Sequence, residues 1–399
     1  METVTGALSG LKVVEFAHVI AGPLAGTLMA DLGATVVHVE DPGRGDPQRV
    51  AGPAKDGVHL WWKTSGRNKR SVTLNLRTDE GRAVARELAA WADVVVTNFR
   101  AETLEKWGLD WASLNELNPT IIVLSVSGFG SVGTRRNEPG FGKVGEAMSG
   151  VVNITGFPDG PPVHTGFSHG DSVTGLMGAF AVTAALYRKN TDPDFKGEWI
   201  DLALYEGLFR LIEWQVIFFD QLGVPPQRVG NQLAAAPAAV INTFRTGDDK
   251  WITVTSGTPN SVVKVADLVG EPLEDYATSA DQVRNREKLD RLVGEWISHR
   301  SLTECLETMR SLEVVASGIY TVEDILNDIT YRERENIITV DDPDLGPVRM
   351  QNVIPKLANY TGTIWRSAPA LGEDNAFVYR DLLGMPDERI TQLSDEGTV

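Results

Sequence analysis

Apolar positions in the first half of the chain fall into short unbroken runs, and between them small or apolar residues recur at helical spacing. Leu11–Phe16 (LKVVEF) and Ala34–Glu40 (ATVVHVE) read as buried strands. His18–Pro23 reads as a turn between them and Leu24–Leu32 as a helix of small residues. A strand, a helix and a second strand of this kind open a doubly wound parallel sheet. Ser71–Leu76 alternates like a strand, and Thr78–Trp91 is an amphipathic helix with Asp79 and Glu80 in its first turn. Asp93–Thr97 and Ile121–Ser127 supply two more buried strands. Asn98, Phe99 and Arg100 follow one strand end directly, where open α/β sheets bind ligands.

The second half reads differently. Trp199–Leu204 is a strand or helix start, and Leu208–Leu222 an apolar, aromatic-rich helix whose Phe and Trp residues are expected in the core. At Gly223 the composition shifts to a linker, GVPPQRVGNQLAAAPAA. Val240–Thr255 then carries a hairpin signal with Gly247 and Asp248 at the turn. Helices are predicted near 260–270, 281–298 and 302–312. The expected organisation is a large domain over 1–222, a small α+β domain over 223–324, and a return to the large domain over 325–399.

The stretch Thr155–Lys189 joins a Gly- and Pro-rich turn to a long helix of small and apolar residues, predicted from Ser172 and expected to be buried nearly all round. Asp171 stands at its mouth. An aspartate there can cap the helix, accepting a free amide, with Thr174 at the third helical position. A carboxylate held at a helix start between Gly170 and Gly175 can equally be a nucleophile. Local sequence leaves both open.

Composition narrows the function. A 399-residue chain with 42% hydrophobic and 23% charged residues has ample core for a soluble protein of two or three domains. A net charge of -17 argues against nucleic acid, whose binding depends on Lys and Arg neutralising phosphates. No leader opens the sequence, and no apolar run reaches the roughly 20 residues that span a bilayer. The one cysteine, Cys305, fits a reducing cytosol, so a cytoplasmic protein without a membrane partner is expected. Positive charge gathers at Arg67, Lys69 and Arg70, followed by Arg77, Arg100 and Lys106. Such a run is either a solvated face or a site for an anionic small ligand.

Six histidines show no HxxxH or HExxH spacing, so no metal site is expected, and no GxSxG elbow supports a Ser-His-Asp triad. Gly128–Gly133 (GFGSVG) matches GxGxxG, but TRRNEPGFG follows and cannot open the helix that a phosphate-cradling loop requires. A nicotinamide dehydrogenase, which could use Glu40 at the end of the second strand, therefore lacks its fingerprint. A carboxylate nucleophile survives this elimination best.

LSGLKVVEFAHVIAGPLAGTLMADLGATVVHVEDPGRGDPQR, RNKRSVTLNLRTDEGR, ADVVVTNFRAETLEKWGL, TGFPDGPP with GDSVTG, and APALGEDN together resemble the class III coenzyme A-transferases, the formyl-CoA and carnitine CoA-transferase (CaiB/BaiF-like) family. The resemblance runs over essentially the whole chain. It implies a Rossmann-like large domain built from both chain ends, a small domain from the middle, and two subunits interlocked like chain links. It implies acyl-CoA as substrate, with neither metal nor nicotinamide. Asp171 matches the catalytic aspartate. CoA contacts fall on Val19, Ile20, Ala21, Leu74, Asn75, Asn98, Phe99, Arg100 and Lys106, with Arg67 and Arg70 joining Arg100 and Lys106 at the phosphates. His38 stands where a lysine is common.

GNQLAAAPAA has no counterpart to the glycine-rich loop of oxalate-using members, which argues against oxalate or formate. PGFGKVGEAMSGVVNITGFPDGPP resembles members acting on dicarboxylates, so the expectation is succinyl-CoA as donor and a C4 or C5 dicarboxylic acid or aryl-substituted succinate as acceptor. Phe141, Lys143 and His169 are the residues expected on the acceptor side. Arg135 and Arg136 are either solvated or, with Lys143, clamp a second carboxylate. An α-methylacyl-CoA racemase of the same family would carry a histidine where Phe141 stands. A non-catalytic CoA-binding subunit would have lost the nucleophile. A homodimer is expected, with a heteromer including a paralogue as the alternative.

Overall fold

A computed structural model describes residues 6–399, which divide into two compact units. The first comprises residues up to Ser149, Thr165–Leu211 and Thr330–Val399; the second comprises Gly150–His164 and Ile212–Ile329. The composition shift placed the boundary at Gly223, and it placed 150–164 with the large domain.

The first unit is built on a six-stranded, all-parallel sheet of β1 (Lys12–Phe16), β2 (Thr35–Glu40), β3 (Arg70–Thr73), β4 (Val94–Thr97), β5 (Ile122–Ser127) and β6 (Glu198–Ala203). Their order is β3-β2-β1-β4-β5-β6. The β1–α1–β2 unit has the predicted connectivity, with α1 at Ala21–Asp31. Pro23 falls in its first turn, where a missing N–H removes no helical bond. Strand alternation sends Val13 to one face and Val14 to the other, so each face has its own core. Val14, Val37, Val72 and Val95 pack under α2 (Asp79–Trp91), while Val13, Val36, Val94 and Ile122 pack with α1. The C-terminal segment closes the β3 edge: Asp374 and Asn375 accept the Ser71 and Thr73 N–H groups, and Tyr379 donates its hydroxyl to the Thr73 carbonyl.

Four more helices complete what surrounds the site: α3 (Ala101–Trp107), α4 (Gly142–Ser149), α5 (His169–Thr191) and α6 (Glu206–Leu211). Contrary to the expectation of all-round burial, α5 buries one stripe, including Thr174, Gly175, Gly178 and Val182, and leaves Leu176, Phe180 and Tyr187 exposed. A side chain at Gly175 would strike the Ala21 carbonyl, so glycine lets α5 lie against the start of α1.

In the second unit, α7 (Trp214–Leu222) corrects another reading. None of its residues is buried among the described residues, and Val216, Ile217, Phe219 and Leu222 are exposed. The predicted hairpin is present as β7 (Val240–Arg245) and β8 (Trp251–Ser256). The strands pack on α8 (Pro259–Leu268), α9 (Ser279–Ser298) and α10 (Leu302–Ser311) through Ile252, Val254, Val265, Leu289 and Val293. Cys305 is buried in this core. Among the described residues no helix is long and apolar enough to cross a membrane.

Candidate active site

The strand order reverses between β1 and β4, and the turns leaving their C-terminal ends form a crevice there, the position where doubly wound sheets take ligands. His18 donates its N–H to Asn98 Oδ1 at 3.0 Å, and Asn98 Nδ2 returns a bond to the His18 carbonyl at 2.7 Å. The β1–α1 turn is thereby pinned to the end of β4.

Three helix starts converge on the resulting cavity of about 400 Å³: Ala21 of α1, Gly142 of α4 and Asp171 in the first turn of α5 all line it. Unpaired N–H groups at helix starts favour negative charge. Val19, Ile20, Asn98, Arg100, Phe141 and Lys143 share the lining, as does Arg136. Val19, Ile20, Ala21, Asn98, Arg100, Phe141 and Lys143, all expected on the CoA or acceptor side, thus line one cavity with Asp171. A second cavity of about 130 Å³ shares His18 with the first and is walled by Leu74, Asn75, Phe99, Arg77 and Trp107.

Asp171 is not the helix cap. Helix α5 starts at His169 with Ser168 as its N-cap, and no side chain of Ser168 closes it. Instead Glu146, fully buried on α4, accepts the Gly170 N–H at 3.2 Å. Burial raises the Asp171 pKa, and the Glu146 charge raises it further; Lys143 and the aspartate's own amide offset part of this, leaving it at about 6. Asp171 is thus mostly ionised at neutral pH but holds its proton more tightly than a free aspartate, and a raised pKa in a crevice is as expected of a reactive group. Glu146 was not singled out in the sequence, because a glutamate within GKVGEAMS cannot be told from one on a solvated face.

Lys143 spends its ammonium on Glu146 at 3.0 Å and on the Thr165 and Phe167 carbonyls at 3.0 and 3.1 Å, so it orders the approach to α5. The His169 ring lies 5.1 Å from that of Phe167, and its buried Nδ1 has no hydrogen-bond partner among the described residues. Arg136 reaches Glu105, while Arg135 stacks on Phe129 at 3.7 Å. Phe141 stands 73% exposed at the cavity wall, and its phenyl ring cannot remove an α-proton from that position.

Other basic residues lie elsewhere. Arg67 is buried against Asp31 and the Gln351 carbonyl, and Lys69 against Glu15 and the Pro23 carbonyl, which corrects the reading of that run as an open anion site. Arg70 pairs with Asp374 at 3.0 Å and stacks on Phe377; Lys106 pairs with Glu102 on the surface. Neither lines the two cavities. Glu40 is committed to Arg49 and Ser71, so it is not free for a ribose. In GFGSVG, Ser131 N–H is bound by Asp201, and no helix follows directly.

The model of CoA-transferase family III matches residues 8–375. The chain belongs to that family. It is 38% identical over 392 residues to the succinyl-CoA–D-citramalate CoA-transferase of Chloroflexus aurantiacus, covering 97% of this chain and 96% of the relative. The succinyl-CoA–L-malate CoA-transferase beta subunit of the same organism is 36% identical, with 100% and 99% covered. A solved CaiB/BaiF family protein from Brucella suis superposes with a TM-score of 0.81 at 32% identity, covering 95% of this chain and all of that one. This family III chain is accordingly a CoA-transferase with a mixed α/β fold, and CoA thioesters are its substrates.

Proposed function

We propose that the enzyme transfers CoA from succinyl-CoA to a second dicarboxylic acid, with Asp171 as the covalent nucleophile. One observation carries the assignment of the nucleophile: a carboxylate with a raised pKa lines a cavity on which three helix starts converge. The donor and acceptor class rests on the relatives named for succinyl-CoA with citramalate and malate.

Asp171 attacks the succinyl thioester carbonyl, and collapse of the tetrahedral adduct expels CoA thiolate and leaves a succinyl-aspartyl anhydride. The thiolate then attacks the aspartyl carbonyl, releasing succinate and forming an aspartyl-CoA thioester. The acceptor carboxylate attacks that thioester, and the returning thiolate takes the acceptor acyl group, restoring Asp171. Amides at the starts of α1 and α4 are placed to meet the oxyanions and the thiolate. Val19, Ile20, Ala21 and Asn98 flank the pantetheine end, and Leu74, Asn75 and Phe99 flank the nucleotide end, since the two cavities share His18. Arg77, Arg100 and Arg136 are the arginines that line these cavities, and they meet the CoA phosphates; Arg70 and Lys106 are left as peripheral phosphate contacts. Phe141 and Lys143, which line the first cavity, serve the acceptor side; His169, which does not line it, is left as a peripheral acceptor-side residue.

The working form is an interlocked homodimer in the cytosol, its large domain drawn from both chain ends. Exposed Leu176, Phe180 and Tyr187 on α5, and exposed Val216, Ile217 and Phe219 on α7, support a covering second subunit. A panel of CoA donors and free acids resolved by mass tests the substrates. Hydroxylamine added during turnover should leave a hydroxamate at Asp171; product forming with that residue unmodified would exclude the covalent route.

A further inference from the structure

We propose that Asp46 is a positioning residue for the acyl-CoA loop: its carboxylate holds Val19 in a left-handed backbone conformation and so shapes the wall between two cavities. The inference rests on the transferase reading of the cavity at Asp171. Val19 has φ +67°, a region that is costly for a β-branched residue and that persists only where surrounding structure enforces it. Both carboxylate oxygens of Asp46 stand 3.1 Å from the Val19 N–H.

Asp46 is itself fully buried and held from behind. Gln48 N–H donates to it at 2.7 Å, its own N–H donates to Glu40 at 2.8 Å, and His38 Nε2 lies 3.2 Å away. His38 Nδ1 meets Glu15 at 2.7 Å, and Lys69 anchors Glu15 at 2.9 and 3.0 Å. Four buried charged or polar side chains, Lys69, Glu15, His38 and Asp46, thus run from the core to one backbone amide. A simple β-α turn needs no such chain. Val19 and Ile20 line the cavity that holds Asp171, and they also line a neighbouring cavity of about 380 Å³ bounded by Phe167, Ser168 and Ser172. Fixing φ at Val19 therefore sets both spaces at once.

Glycine adopts this conformation without strain, so a double-mutant cycle isolates the role. CoA is titrated calorimetrically into the full-length wild type, Asp46→Ala, Val19→Gly and the double variant, and amide exchange is followed at residue 19. Asp46→Ala should weaken CoA binding by about tenfold and speed exchange of the Val19 amide, but cost less than about threefold in the Val19→Gly background. Asp46→Asn keeps one oxygen for the amide, so it should show the same pattern at smaller size, and it stands in should Asp46→Ala fail to fold. Equal penalties in both backgrounds, or unchanged affinity in the Asp46 variants, would overturn the proposal. Failure of the wild type to bind CoA would overturn it together with the transferase reading. Coupled CoA binding with no transfer to any acid would sink the transferase reading alone.

Discussion

Gly142 at the start of α4 lies directly against the carboxylate of Asp171: a methyl group added at Gly142 would overlap Asp171 Oδ2, and one added at Gly170 would strike the Gly142 carbonyl. The two helices approach this closely because both residues lack side chains. Gly142→Ala should therefore push Asp171 off its line of attack. A displacement near 1 Å at a reacting group costs on the order of 100-fold in rate. The expected outcome is a fall of at least about that size in kcat with a near-native melting curve, measured by transfer assay and circular dichroism.

Glu146 adds to the burial that raises the Asp171 pKa. Burial is the first cause of the raised Asp171 pKa of about 6, and the Glu146 carboxylate is the second. Since the nucleophile must be ionised, kcat/KM should rise with pH through about 6. Glu146→Gln keeps an oxygen for the Gly170 N–H, removes the repulsion and leaves Lys143 uncompensated. The acid limb should move down toward the ordinary carboxylate range. An unmoved limb would show that the limb reports another group.

Asp171 should also weaken the fold at neutral pH. Its folded-state pKa exceeds the value of 3.8 for a free aspartate, so the native state holds the proton more tightly than the unfolded chain. The stability it contributes is present below about 4 and is lost as pH rises through about 6. Asp171→Asn, which is neutral throughout, should match the wild type in acid and exceed it by about 3 kcal/mol at pH 7. It should be inactive at both. Chemical denaturation at several pH values measures this, and a destabilised Asp171→Asn at pH 7 would favour a structural role for the carboxylate.

The central sheet was legible because its strands are buried on both faces. LKVVEF, ATVVHVE and IIVLSVS stand out as apolar runs, and connection lengths then fix a parallel order. Residues at strand ends, such as Asn98 and Phe99, follow from the same logic. What could not be read was pairing at long range. Arg67 and Lys69 look like an anion site until Asp31 and Glu15, far away in sequence, are seen to neutralise them. The α5 start was misplaced because the amide that a local cap would satisfy is taken by Glu146 from another helix. The exposed aromatics of α7 show the converse, since an apolar pattern marks a surface for burial without saying against what.

His38 supplies a test at the alkaline end. Burial alone would drive its pKa down, but hydrogen bonds to Asp46 and Glu15, with the charges of Glu15 and Glu40, lift it to about 9. The imidazolium is therefore the native form at neutral pH. Because the folded pKa lies above the unfolded value of 6.5, the stabilisation is complete below about 6.5 and disappears as pH rises through about 9. A shift of this size corresponds to of order 3 kcal/mol. His38→Gln loses that contribution at every pH, so the gap in unfolding free energy between wild type and variant should be widest near pH 6 and narrow steadily toward pH 9. A constant gap across this range would mean that the ring packs against Trp62 without carrying a proton, leaving Asp46 to hold the Val19 amide without a cation behind it.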